Sequence, residues 1–299
     1  MMKMSMDCLG CQMKTFFKVM KLCVPESERQ VELIKDVLVK ISKTDFNLNQ
    51  VQFAEKINTF IKKNTGNPDP YLKFKQEKNK AAAVIAQRLK PEIEKSDDPL
   101  MEAIKAATAG NIMDLFAGDA GRIEDTLRNI RKVGYRVNHF EKFKNDLQTI
   151  SNILYITDNA GEIFFDELLI DQLVALGAKV TVCVRGYPAG DDALEEDYKM
   201  TGLRQITGLT DTGTGHQGFV LEEVKEEAGN HYRQADLIIA KGMGNFESLF
   251  HVQDTRLYFL FAAKCEPIAT LAEVEVGDFC FINAASIKAD YKNQPPGRE

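Results

Sequence analysis

The sequence predicts an α/β protein: a helical N-terminal region packed on a mostly parallel, doubly wound, Rossmann-like sheet. Three observations predict it. Up to residue 148 the apolar positions recur every three or four residues, which is a helical period. From residue 149 onward short β-branched runs alternate with amphipathic stretches, the pattern of right-handed βαβ units. Several of those runs end in polar, glycine-bearing loops, where open α/β sheets carry their ligand sites.

Helices are expected over Thr15–Cys23, Glu26–Lys43, Val51–Lys63, Tyr71–Leu89, Pro99–Ala109 and Ala120–Val133. Pro25, Asn67-Pro68, Pro91 and Gly118 punctuate them. No strand is expected before Ile150. Strands are then expected at Asn152–Thr157, Lys179–Val184 and Asp236–Ala240. Glu162–Leu176 reads as a helix closed by Gly177. Leu257–Phe261 and Ile268–Thr270 read as further strands, and Ser248–Phe250 as helix or turn. Thr201–Gln217, rich in Gly and Thr, shows no usable period. The expected organisation is a helical domain over 1–148, an α/β domain over 149–287, and a polar tail over 288–299.

With 299 residues, 44% hydrophobic and 27% charged, the composition is that of a globular protein able to bury a substantial core. The net charge of −6 lacks the basic excess of a nucleic-acid binder. That charge is uneven: residues 1–150 carry 26 Lys and Arg against 20 Asp and Glu, so the rest of the chain holds a balance of −12. No apolar run approaches the roughly 18 residues needed to span a bilayer, so no membrane partner is expected. The N-terminal residues include no apolar secretory segment, and six cysteines do not make a disulfide framework in a chain of this length. The expected compartment is the reducing cytoplasm.

The chemistry is read from the strand ends. The first strand is followed by Asp158-Asn159-Ala160-Gly161-Glu162, and the second by Arg185-Gly186-Tyr187-Pro188-Ala189-Gly190-Asp191-Asp192. After the third comes Lys241-Gly242-Met243-Gly244-Asn245-Phe246-Glu247. Asp and Asn oxygens are hard ligands suited to Mg²⁺ or Mn²⁺. Lys241 offers a positive charge for a phosphoryl group, and Gly161 and Gly244 let backbone N–H groups approach an anion. Each string also has a plainer reading. Asp158-Asn159 is a common turn and helix-cap pair, Lys-Gly-x-Gly is a common turn, and Asp191-Asp192 could be a solvated loop or the N-cap of Ala193–Met200. Only the joint placement after successive strands raises a metal site to even standing with these readings.

Thr157-Asp158-Asn159-Ala160-Gly161-Glu162, Arg185-Gly186-x-Pro188 with Asp192, and Lys241-Gly242-x-Gly244-Asn245-Phe246-Glu247 together resemble the signature of the damage-control phosphatases. Asp69-Pro70-Tyr71 with Lys75, Ala109-Gly110-Asn111 with Asp114, and Lys264-Cys265-Glu266-Pro267 look like further segments of that family. Cys8-Leu9-Gly10-Cys11 is similar to the start of its cysteine-containing prokaryotic subfamily. The matches run in order from near residue 8 to near residue 285. The resemblance implies a divalent-metal phosphatase, using Mn²⁺, Co²⁺, Ni²⁺ or Mg²⁺, that acts on small phosphorylated metabolites such as sugar phosphates or nucleotides. It implies metal ligands at Asp158, Asn159 and Asp192, and phosphate contacts at Lys241 and the Gly242–Asn245 loop. Glu162, Arg185 and Asn111 are further candidates for the substrate pocket, with Glu162 or Asp191 orienting the attacking water. One departure is Asp191, where the family usually has Asn.

The remaining candidates read as structural. Cys183 and Cys280 lie in apolar runs, Cys8-x-x-Cys11 has no second ligand pair in sequence, and Cys265 has no evident histidine partner. His139, His216, His231 and His251 show no metal spacing. Lys62-Lys63 and Lys73-x-Lys75 read as solvated helix charges. Two other functions compete with the phosphatase. A nucleotide- or adenosylmethionine-dependent transferase would use the same sheet, but its glycine-rich first turn is missing. A non-catalytic protein could hold a phosphorylated metabolite in the same loops. Oligomeric state is not indicated.

Overall fold

The computed structural model describes residues 4–111 and 120–287; Asp114, Gly118 and the expected tail after residue 287 lie outside them. The N-terminal helices are α1 (Met6–Cys23), α2 (Ser27–Ser42), α3 (Gln50–Thr65), α4 (Leu72–Glu94), α5 (Pro99–Gly110), α6 (Ala120–Val133) and α7 (Phe140–Asp146). Between α6 and α7 lies β1 (Val137–Asn138). The α/β part runs β2 (Asn152–Ile156), α8 (Ile163–Ala175), β3 (Lys179–Val184), α9 (Glu195–Lys199), β4 (Gly208–Asp211) and α10 (Glu226–Gln234). It ends with β5 (Leu237–Lys241), α11 (Gly242–Leu249), β6 (Leu257–Ala262), α12 (Glu266–Ala272) and β7 (Phe279–Asn283).

The strands form one seven-stranded sheet in the order β1-β7-β6-β5-β2-β3-β4. Every neighbouring pair is parallel except β6 with β7. From β2 the chain winds outward through β3 and β4, then returns to place β5 on the other side of β2. The winding therefore reverses between β2 and β5, and such a reversal opens a crevice at the carboxyl ends of both strands. The expected mostly parallel, doubly wound sheet is what the chain forms.

Alternation along the strands distributes the core. Ile153, Tyr155, Val180, Val182, Leu237, Ile239 and Tyr258 face a cluster shared with α4, α5 and α8. Leu154, Ile156, Cys183, Ile238, Ala240 and Phe259 face the opposite cluster with α10, α11 and α12. Helices α1–α3 build a separate apolar cluster around Phe16, Leu33, Phe53 and Ile57. Helix α8 is apolar on nearly every side because it is buried on both, between α5 and the sheet.

Four element expectations are corrected. A strand does precede Ile150: β1, two residues long, pairs with β7 and is too short to leave a period-two signal. Ile268–Thr270 belongs to α12, where Pro267 sits in the first turn and needs no donor there. Pro91 does not end α4, which continues to Glu94. In Thr201–Gln217 the strand β4 is hidden by its glycine and threonine content. Strand β7 is a further element outside the expected set, although Phe279-Cys280-Phe281-Ile282 is a continuous apolar run.

Candidate active site

The crevice between β2 and β5 is closed by short-range geometry that the sequence dictates. Gly161 takes a φ of 82° and turns the chain from β2 into α8. Gly242 takes 76° immediately after β5, and a Cβ there would stand 1.9 Å from Asp158 Oδ2. Only glycine lets the start of α11 approach the Asp158 carboxylate so closely. The loops after β2 and β3 are laced together: Ala160 N–H donates to Asp191 O at 2.8 Å and Ala193 N–H to Asp158 O at 2.8 Å. An isolated antiparallel bridge joins Asn159 to Asp192. Neither pair caps a helix. Helix α8 starts after Glu162, and α9 is capped at Leu194 with help from Asp197.

Around this crevice the side chains form a carboxylate–carboxamide cluster. Asn111, the C-cap of α5, donates through Nδ2 to Asp158 Oδ2 at 2.9 Å and to the Glu162 oxygens at 3.0 and 3.1 Å. Asn159 Nδ2 donates to the same two groups, at 3.0 Å to Asp158 Oδ2 and 2.5 Å to Glu162 Oε1. Asp192 Oδ2 accepts from Arg185 Nε at 2.6 Å, and Arg185 Nη2 donates to Asn245 Oδ1 at 3.1 Å. Asn245 Nδ2 in turn donates to the carbonyls of Thr157 and Lys241, at 2.9 and 2.6 Å, so it ties β2 to β5. Arg185 is fully buried, and its Nη1 has no hydrogen-bond partner among the described residues.

Lys241 is placed differently from a mobile phosphate contact. It is fully buried, and its Nζ is held by Asp166 Oδ1 at 2.5 Å, Ala107 O at 2.8 Å and Glu162 Oε2 at 3.5 Å. Tyr155 donates to Asp166 Oδ1 at 2.7 Å. Lys241 thus joins the end of β5 to α5 and α8 from beneath the site. Asp166, four residues after Glu162, is a site residue outside the expected set, although an acid inside that apolar helix is a visible signal.

The electrostatics follow from this burial. The Asp158 carboxyl is held well above its usual range, by burial first and then by the charges of Glu162 and Asp192. Burial pushes Asp192 up to about 6 against the opposing pull of Arg185, and Asp166 up to about 6 against Lys241. Burial works against the charged form of Lys241, but Asp166, Glu162 and Asp158 together raise its pKa.

The helical layer reaches the strand ends at several points. Lys78 pairs with Asp191 at 3.1 Å, Lys62 Nζ donates to Pro188 O at 2.9 Å, and Lys75 pairs with Asp69 at 2.7 Å. Lys75 is therefore a buried structural cation rather than a solvated charge, and Lys62 is half-buried. Lys264, after β6, is exposed and exerts a stabilising positive field on ionised Asp158. Its motif was visible in the sequence, but its place beside the crevice depends on the strand order. Cys8, Cys183, Cys265 and Cys280 are in no disulfide. Cys183 and Cys280 are buried in the core, and burial raises the Cys8 and Cys265 thiols, which does not suit a nucleophile.

Among the described residues, no three His, Cys, Asp or Glu side chains converge to hold a metal. The candidate ligand set has a different composition, with two buried carboxylates, Asp158 and Asp192, and the Asn159 carboxamide. It fits a hard divalent cation on two grounds. All its donors are oxygens once the Asn159 nitrogen is committed to Asp158 and Glu162, and mutually repelling buried carboxylates are what a cation would offset.

Fold and site together define a doubly wound α/β protein with an acidic centre at the point where the winding reverses. Within that class the chain belongs to the damage-control phosphatase ARMT1-like family, whose domain model matches residues 4–279. It is 33% identical over 284 residues to a damage-control phosphatase of Archaeoglobus fulgidus, covering 93% of this chain and 98% of that one. It is 30% identical over 281 residues to a damage-control phosphatase of Pyrococcus horikoshii, covering 92% and 96%. An uncharacterized protein of Methanocaldococcus jannaschii is 33% identical over 291 residues, covering 92% and 94%. The crystal structure of a DUF89 family protein from Pyrococcus horikoshii superposes with a TM-score of 0.86 at 28% identity, over 95% of this chain and 100% of that one. Phosphatase chemistry is thus the family's assignment. No helix among the described residues is long and apolar enough to cross a membrane.

Proposed function

We propose that this phosphatase depends on a divalent metal, one of Mn²⁺, Co²⁺, Ni²⁺ or Mg²⁺, held by Asp158, Asn159 and Asp192, and that it hydrolyses phosphomonoesters of small metabolites such as sugar phosphates or nucleotides. The observation that carries the reading is the joining of Asp158 to Asp192. The two acids come from the loops after different strands, are both buried, and are brought together by the Asn159–Asp192 bridge. When bound, the metal supplies Lewis-acid activation of the phosphoryl group and of water.

The chain's own residues do the rest. Asn111 and Asn159 fix the Glu162 carboxylate beside Asp158, where it can orient water or take its proton. The start of α11 lies against Asp158, where its backbone N–H groups suit the phosphoryl oxygens. Lys264 is the solvent-facing cation for that group, while Lys241 and Arg185 act from within, by charge and by positioning. The helical layer lies over the strand-end loops and supplies the walls that distinguish metabolites.

The test is hydrolysis of p-nitrophenyl phosphate and a panel of sugar phosphates and nucleotides, with each metal and with chelator. Metal-restored turnover is expected. Phosphometabolite binding without hydrolysis would make the protein a binding module, and turnover unaffected by chelator would remove the metal.

A further inference from the structure

The segment after β4 was illegible in sequence, yet it sits at the site. Thr212 N–H donates to Val184 O at 2.9 Å, and Gly186 and Tyr187 N–H both donate to Thr214 O at 3.1 Å, so the segment is laced to the loop after β3. Gln217 then reaches between two site loops. A Cβ on Gly190 would stand 2.2 Å from Gln217 Nε2, and a Cβ on Gly244 would stand 1.9 Å from Gln217 O. Those two glycines leave the room that Gln217 fills.

The Gln217 carboxamide is a bridge. Its Oε1 accepts from Asn58 Nδ2 at 3.4 Å, and its amide lies beside the Asp192 carboxylate, whose charged form it favours. Beside it, buried His216 lies between Glu223 Oε2 at 2.7 Å and Glu55 Oε2 at 3.0 Å, and Gln52 Nε2 donates to Glu223 at 2.9 Å. Gln52, Glu55 and Asn58 recur every three residues along one face of α3. One face of a helix in the helical layer therefore grips the segment that touches Asp192.

We propose that Gln217 is a positioning residue for Asp192, and that the Gly215–Gly218 segment is a strut coupling α3 to that carboxylate. This rests on the reading of Asp192 as a metal ligand. Asp192 is held by Arg185 at 2.6 Å, and the Gln217 amide lies beside it. Only a group that both donates and accepts can link Asn58 to a carboxylate, which Glu or Met cannot do.

The test uses the full chain with Gln217→Met, which keeps volume and loses the polar amide. Mn²⁺ affinity is read by titration calorimetry, the melting temperature is read in chelator, and kcat and KM are read with p-nitrophenyl phosphate. Mn²⁺ affinity and kcat should fall about tenfold to a hundredfold, the range for removing the partner of a ligand, while the metal-free melting temperature stays close to the starting protein. Gln217→Glu should fall further, because it sets a carboxylate against Asp192. If Gln217→Met misfolds, Asn58→Ala carries the test with a smaller drop in Mn²⁺ affinity. A lowered melting temperature with unchanged Mn²⁺ affinity would make Gln217 a packing residue and overturn the proposal. Unchanged Mn²⁺ affinity in Asp192→Asn would instead overturn the ligand reading, and the proposal with it.

Discussion

Asn111 Nδ2 lies 2.9 Å from Asp158 Oδ2, so the last turn of α5 fixes the first carboxylate after β2. The same nitrogen serves Glu162, and one neutral donor thereby sits between two acids that would otherwise repel.

Asn111→Ala should therefore lower kcat/KM for p-nitrophenyl phosphate and for a good sugar phosphate in equal proportion, by about tenfold to a hundredfold, because it disturbs the shared centre. Asn111→Asp should be more damaging, since it adds a third buried acid. Steady-state kinetics on both substrates decide this. A loss confined to the sugar phosphate would mean that Asn111 reads the substrate.

Lys241→Met should cost about 3–5 kcal/mol of stability in urea denaturation, because buried Asp166 and Glu162 would lose the cation they share. Full stability with lost activity would show instead that Lys241 serves the phosphoryl group directly.

Asp192→Asn should weaken Mn²⁺ binding at least about tenfold with the fold retained, since ligand charge sets affinity at oxygen sites. Asp191→Asn should act elsewhere. Its carboxylate pairs with buried Lys78, so the change should cost about 1–3 kcal/mol in stability and leave Mn²⁺ affinity nearly unchanged. Calorimetric titration of both variants separates the two roles.

Burial pushes the Glu247 carboxyl up to about 8 from an ordinary 4.5. Between those values the folded chain keeps a proton that the unfolded chain has lost, so rising pH favours unfolding. The melting temperature should fall across that window, and Glu247→Gln should flatten the fall. The variant should melt a few degrees above the unmodified chain at pH 8 and close to it at pH 4.5. Equal slopes for the two proteins would show that Glu247 ionises freely.

What the sequence disclosed about the site was its strand-end residues. Asp158, Asn159, Asp192 and Glu162 follow short β-branched strands with local signals, and the sheet brings their loops together. What it hid depends on distant packing. Nothing near Lys241 shows that its charge turns inward to Asp166 and Ala107 O, because α5 lies more than a hundred residues upstream. Lys75 and Lys78 look like ordinary helix lysines until their partners Asp69 and Asp191 are placed. Gln217 sits in a stretch with no period at all, so only the neighbouring glycines at 190 and 244, whose missing Cβ atoms it occupies, mark its position.

The pairing of β1 with β7 bears on how the chain folds. Val137 lies beside Cys280, so the edge of the sheet joins the middle of the chain to its last strand. Closing so long a loop earns only a two-residue ladder, and contacts of that kind form late and slowly. The region around β2 and β5 can therefore assemble while that edge is still open. In hydrogen-exchange refolding experiments, the amides of Arg136 and His139, which bond to Phe279 O and Phe281 O, should gain protection after those of β2 and β3.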